Sequence, residues 1–136
     1  MSESLALQNE SENPALTVLL VEDESLLRIH AAERLRAAGF IVIEAVNGRE
    51  AVSVLQSRLH VDLVLTDGRM PLLDGNELVR HIRREAPYLK IFMCAGQLPP
   101  EDVYRMLDGF FSKPLDFDNF TRSMESVFAS ARIAVS

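Results

Sequence analysis

The chain has 136 residues, 48% hydrophobic and 25% charged, with a formal net charge of −6. That length suits one domain with its own core. The acidic balance works against DNA and anionic membranes, because the scattered arginines make no basic patch and Arg83-Arg84 is only a pair. A single cysteine, Cys94, excludes an internal disulfide and a Cys-rich zinc site. No stretch reaches the ~20 apolar residues of a membrane span, and the N-terminus lacks a signal-peptide core. A soluble cytoplasmic protein is the expectation.

Residues 1–15 read as a disordered leader, carrying Glu3, Glu10 and Glu12 and little apolar matter. An ordered domain is expected over 16–131, with 132–136 as a tail. Thr17 to Val21 is an apolar, β-branched run that stops at Glu22-Asp23-Glu24. Leu27, Ala31, Leu35 and Ala38 then recur at helical spacing, with Gly39 as the stop. Phe40 to Glu44 is a second strand, and Ala51, Val54 and Leu55 line a second helix entered through Asn47-Gly48. Val61 to Thr66 is a third apolar run, ending on Asp67. Leu78, Val79 and Ile82 mark a third helix closed near Pro87, and Ile91 to Ala95 is a fourth strand.

Pro99-Pro100 opens a short helix with only Val103, Tyr104, Met106 and Leu107 to bury. Phe110 to Ser112 is a fifth strand. Phe117, Phe120, Met124, Val127 and Phe128 stripe a long last helix. Five strand–helix units in succession, with strands that do not alternate polar and apolar, predict a doubly wound α/β fold. Its sheet is parallel and five-stranded, with helices on both faces.

In such a sheet the site lies at the carboxyl ends of the strands. Glu22 and Asp23 follow the first strand, Asp67 the third, Ala95 and Gly96 close the fourth, and Lys113 follows the fifth. Crowded carboxylates call for a hard divalent cation, and Mg²⁺ suits a few carboxylates plus water, with Mn²⁺ able to substitute. A carboxylate can attack a phosphoryl group, while a metal and a lysine neutralise the transferring oxygens. One acid at a strand end is ordinarily a cap or turn residue. An acidic pair, a further acid and Lys-Pro at three different strand ends are not explained as separate caps.

These residues resemble the receiver domains of two-component response regulators over roughly Leu16 to Ala131. The matching stretches are Val18-Leu19-Leu20-Val21-Glu22-Asp23-Glu24, Asp62 through Asp67-Gly68-Arg69-Met70-Pro71, Asp74-Gly75 and Phe110-Phe111-Ser112-Lys113-Pro114. The resemblance implies the flavodoxin-like strand order 2-1-3-4-5 and makes Asp67 the phosphoacceptor. Asp23, Asp67 and the Arg69 backbone carbonyl would hold Mg²⁺, with Glu22 acting directly or through water. Lys113 and the backbone N–H groups of Gly68 and Gly96 would contact the phosphoryl group, and the bond before Pro114 would be cis. The partner implied is a histidine kinase or phosphotransfer protein, with output through a further protein. Neither nucleic acid nor membrane is expected, nor any enzyme activity beyond self-catalysed phosphotransfer and autodephosphorylation.

The chain departs from that pattern at the two switch positions. The strand-four Thr/Ser is Ala95, which has no donor to offer a phosphoryl oxygen, and the strand-five aromatic is Phe110, which lacks a hydroxyl. The stretch from Ala95 to Lys113 is short, so the fourth helix is expected to be short or irregular. Cys94 points to the opposite face from Ala95 and cannot replace the hydroxyl. A phosphorylation-independent pseudo-receiver is the alternative these departures favour. An aspartate-nucleophile phosphatase would need an acid where Arg69 stands, and a flavin protein would need a Ser/Thr/Gly-rich loop in place of Glu22-Asp23-Glu24-Ser25. Arg69 lies two residues past the acceptor, within side-chain reach of a phosphoryl group. His30, His60 and His81 sit on separate elements and read as surface spacers.

Overall fold

The computed structural model describes residues 15–70 and 72–135, with side chains described as far as Ala129. The leader over 1–15 therefore falls outside the described residues except for Ala15, as do Pro71 and Ser136. The elements alternate as β1 (Thr17–Val21), α1 (Ser25–Ala37), β2 (Ile41–Ala45), α2 (Gly48–Gln56), β3 (Leu63–Asp67), α3 (Gly75–Glu85), β4 (Lys90–Ala95), α4 (Glu101–Met106), β5 (Gly109–Ser112) and α5 (Phe117–Val135). The strands form one five-stranded sheet in the order β2-β1-β3-β4-β5, and every pairing is parallel.

β1 and β3 are buried along their whole length, because side chains on both faces of the sheet meet helices. The pleat sends alternate residues into two separate cores. Leu19, Val64, Ile91 and Met93 pack with Leu78, Val79 and Ile82 of α3 and Val103 of α4. Val18, Leu65, Phe92 and Phe111 pack with Leu35 of α1 and Phe120 and Met124 of α5. Phe120 is the hub of the second core, meeting the rings of Phe111 at 5.4 Å, Phe40 at 6.0 Å and Phe92 at 6.1 Å.

Several expectations shift. β2 and β3 begin one and two residues later than read, and Asp67 is the last residue of β3 rather than the first beyond it. The face of α1 is only partly the one its spacing suggested: Leu35 is buried and Ala31 packs against the same core, whereas Leu27 is 44% exposed, Ala38 is also exposed and Ala32 is buried instead. Tyr104 is half exposed, because α4 buries Val103 and leaves Tyr104 to lean on Phe110 at 6.3 Å. The last helix runs on to Val135, through most of the segment read as a tail. No helix among the described residues is long and apolar enough to cross a membrane.

The fourth helix is six residues long, as the short stretch from Ala95 to Lys113 predicts. So short a helix has little cohesion of its own. It is tied instead to α3 and β4 through Arg83, whose guanidinium donates to the carbonyls of Met106 (2.9 Å), Leu89 (2.6 Å) and Pro87 (3.2 Å) and to the Asp108 carboxylate (2.9 Å). Asp108 also accepts from the Ile91 N–H at 2.8 Å. On the exposed flank Arg80 forks onto Asp102 at 3.0 and 3.3 Å. Replacing Arg83 with methionine should lower stability by about 2–3 kcal/mol in urea unfolding, since one change strands several acceptors. Amide exchange should accelerate over Glu101–Met106 well before it does in α3.

Candidate functional site

The parallel sheet brings the predicted acids and lysine to one edge. Lys113 Nζ donates to Asp67 Oδ2 at 2.8 Å and stands 3.6 Å from Glu22 Oε1. Carboxylate oxygens of Glu22, Asp23 and Asp67 all lie within 4.8 Å of one another. Asp67 and Glu22 are each only 9% exposed, whereas Asp23 opens to solvent. No histidine joins a metal-ligating cluster among the described residues. His60 pairs with Asp62 at 2.8 Å, and His30 meets the edge of Phe117 at 5.9 Å.

Each of these side chains is set by its local backbone. Glu22 Oε2 accepts from the Glu24 N–H at 3.2 Å, and the Glu22 carbonyl accepts from Arg28 Nη1 at 3.1 Å. Arg28 is itself held by Glu44 at 3.3 Å, so β2 and α1 together fix the loop that carries the acidic pair. Asp67 Oδ1 accepts a longer bond from the Arg69 N–H at 3.4 Å, and its backbone carbonyl accepts from the Thr66 hydroxyl at 2.9 Å. Gly75 opens α3 against this backbone: a Cβ there would overlap the Asp67 carbonyl, so no other residue fits. Asp74 caps α3 by accepting the Glu77 N–H at 3.0 Å.

One ammonium faces three carboxylates, and the imbalance shows in the protonation equilibria. Burial pushes the Glu22 carboxyl up to about 7; the Asp67 charge adds to this, against the opposing pull of the Glu24 N–H and Lys113. Burial pulls the Lys113 ammonium down, but its hydrogen bond to Asp67 and the charges of Asp67 and Glu22 outweigh that and leave it raised. Burial likewise lifts the Cys94 thiol to about 11, so it stays protonated at neutral pH. Cys94 and Ala95 lie in opposite cores, so the thiol cannot stand in for a hydroxyl at position 95.

The other side of Asp67 is open. A cavity of about 520 Å³ is lined by Asp67, Arg69, Asn76, Ala95, Gly96 and Lys113, among others. Gly68 also lines it, with the Ala95 methyl 3.1 Å from where a Gly68 Cβ would be. The Arg69 side chain donates to Gln97 Oε1 at 3.3 Å, so it spans from the loop after β3 to the loop after β4. Phe110 is half buried under Tyr104, and the Lys113–Pro114 peptide is cis. Arg28, Glu44, Asn76 and Gln97 were not singled out from the sequence. The partners of Arg28, Glu44 and Gln97 lie on other elements, Asn76 faces a cavity that other elements build, and no local pattern marks any of them.

Four likenesses accord with this geometry. The sequence matches the response regulator receiver domain family over residues 18–125. It is 41% identical over 107 residues to the two-component response regulator ORR41 of Oryza sativa subsp. japonica, covering 74% of this chain and 84% of that protein. It is 31% identical over 120 residues to the sensor kinase CckA of Brucella abortus (strain 2308), covering 82% of this chain but only 12% of that protein. Among solved structures it is similar to the response regulator protein TrrA of Thermotoga maritima in complex with Mg(2+)-BeF. There the TM-score is 0.75 at 26% identity, covering 82% of this chain and 97% of that one. The chain belongs to the response regulator receiver domain family of two-component signalling.

Proposed function

We propose that Asp67 accepts a phosphoryl group from the phosphohistidine of a histidine kinase or phosphotransfer protein. In that step an Asp67 carboxylate oxygen forms the new O–P bond as the N–P bond to the donor imidazole breaks, and the imidazole keeps the electron pair. The observation that carries this reading is Asp67 itself: a nearly buried carboxylate, 2.8 Å from Lys113 and within a group of three acids. The Lys113 ammonium is placed to neutralise a transferring oxygen. The N–H groups of Gly68 and Gly96 border the same cavity and supply further donors.

The donor set fits Mg²⁺. Three carboxylates, one of them raised to about 7 by burial, lack the positive charge to balance them, and all their candidate ligand atoms are hard oxygens. Asp23, Asp67 and the Arg69 carbonyl would hold the ion, with Glu22 beside it. When bound, it would offset charge on the phosphoryl oxygens. The output is contact with a downstream protein in the cytoplasm, and the acidic chain leaves nucleic acid and membrane out of that reading. A phosphorylation-independent binding module is the second reading, favoured by Ala95, which presents only a methyl to the cavity.

Two measurements test the first reading. A small acyl-phosphate donor with Mg²⁺ should label the protein at Asp67 by mass spectrometry, a chelator or Asp67→Asn should abolish labelling, and Lys113→Ala should slow it by about tenfold or more. An unlabelled wild-type protein would favour the second reading. The Glu22 shift makes a separate forecast for the metal-free protein. Its folded carboxyl is raised above the ordinary value of 4.5 to about 7, so the folded state binds the extra proton. Stability in chelator should therefore fall as pH rises from about 4.5 to 7. Glu22→Gln should flatten that slope, and a slope unchanged by the substitution would contradict the assignment.

A further inference from the structure

The cavity beside Asp67 contains a polar group that the site has not yet used. Asn76 is the second residue of α3, directly after the glycine pressed against the Asp67 backbone, and Gly75 N–H donates to the Gly68 carbonyl at 3.2 Å. Its side chain lines the same cavity as Asp67, Ala95, Gly96 and Gln97. The Asn76 carboxamide oxygen is buried and has no hydrogen-bond partner among the described residues. A buried carboxamide oxygen left unpaired is destabilising, and a leucine, with the same branching, would occupy the position without that cost. Asparagine there calls for a partner that arrives later.

A phosphoryl group on Asp67 would create that need from the other side. Lys113 reaches Asp67 from the end of β5 and lines the cavity as well, but from the end of β4 Ala95 offers only a methyl. Residues Gly96 to Pro100 also line the cavity, and Arg69 bridges this loop to the one after β3 through Gln97 at 3.3 Å. A carboxamide is suited to both surfaces, because its NH₂ donates while its oxygen accepts.

We propose that Asn76 reads the phosphoryl group. Its NH₂ donates to a phosphoryl oxygen, and its oxygen accepts a backbone N–H of the Gly96–Gln97 loop, so the loop is drawn over the site from α3 rather than from position 95. This rests on Asp67 being the phosphoacceptor.

Beryllium fluoride with Mg²⁺, a phosphoryl mimic, tests it on the full chain. Binding is followed by thermal shift and by the amide resonances of Gly96 and Gln97, in wild type, Asn76→Leu, Ala95→Thr and the double variant. Asn76→Leu should weaken beryllium fluoride binding by about ten- to a hundredfold and quench the Gly96 and Gln97 shifts, since a hydrogen bond to a charged group is lost. Mg²⁺ affinity measured alone should stay within about twofold, because that change is small beside the loss of a charged hydrogen bond. Ala95→Thr, which supplies a hydroxyl on the same flank, should restore most of the loss in the double variant.

Wild-type affinity in Asn76→Leu overturns the proposal while leaving Asp67 as acceptor. A loss that Ala95→Thr does not repair, or one shared by Mg²⁺ binding alone, also overturns it, by showing general damage to the site. Wild-type protein that does not bind beryllium fluoride at all overturns the phosphoacceptor reading and this one with it.

Discussion

The ion pair between Lys113 and Asp67 is the contact on which the carboxyl edge depends. Its two members stand 46 residues apart and come together because β3 and β5 both run parallel to β4, the strand between them. Each is only partly accessible, so the attraction acts in a medium less polar than water, and removing either partner would leave a poorly solvated charge. Glu22 lies 3.6 Å from the same ammonium, which therefore serves two acids and satisfies neither fully. The surplus negative charge is a property of the fold's geometry: the ends of β1 and β3 deliver three acids to one place, and the end of β5 delivers one cation.

Around that edge the chain divides its work between two cores. The layer containing Phe120 is closed by aromatic rings and joins α1 and α5 to the sheet. The layer containing Ile82 joins α3 and α4, and at its top it opens into the cavity beneath Ala95. Arg83 donates to the Met106 and Leu89 carbonyls and so holds the short α4 to α3 and to the approach of β4.

Much of this was legible in the sequence, for a physical reason. Parallel strands are buried on both faces, so Thr17–Val21 and Leu63–Asp67 appear as unbroken apolar runs, and acids at their ends stand out against them. The short α4 was legible because few residues separate Ala95 from Lys113. Strand order came from the likeness of the Asp67 block to a family, not from periodicity. The buried face of α1 was legible only in part: Leu35 and Ala31 pack on the core as the repeat of Leu27, Ala31, Leu35 and Ala38 implies, while Leu27 and Ala38 stay exposed and Ala32 is buried. Asn76 and Gln97 were invisible as well, because their meaning comes from residues such as Ala95 and Arg69 that are near in space and distant in the chain. Sequence spacing reports what an element presents to its own neighbours, and these contacts lie between elements.

The two glycines that begin α2 and α3 carry a mechanical consequence. A Cβ at Gly48 would overlap the Leu73 carbonyl, and one at Gly75 would overlap that of Asp67. The backbone at Asp67 and at Leu73 is thus pressed against two helix starts, and Leu72 holds a left-handed φ of 64°. Contacts of backbone on backbone leave no side chain that could move aside for a larger residue. Asp67 is backed by packed backbone on one side and bordered by the cavity on the other. A side chain added at Gly75 would therefore be felt first at Asp67 itself.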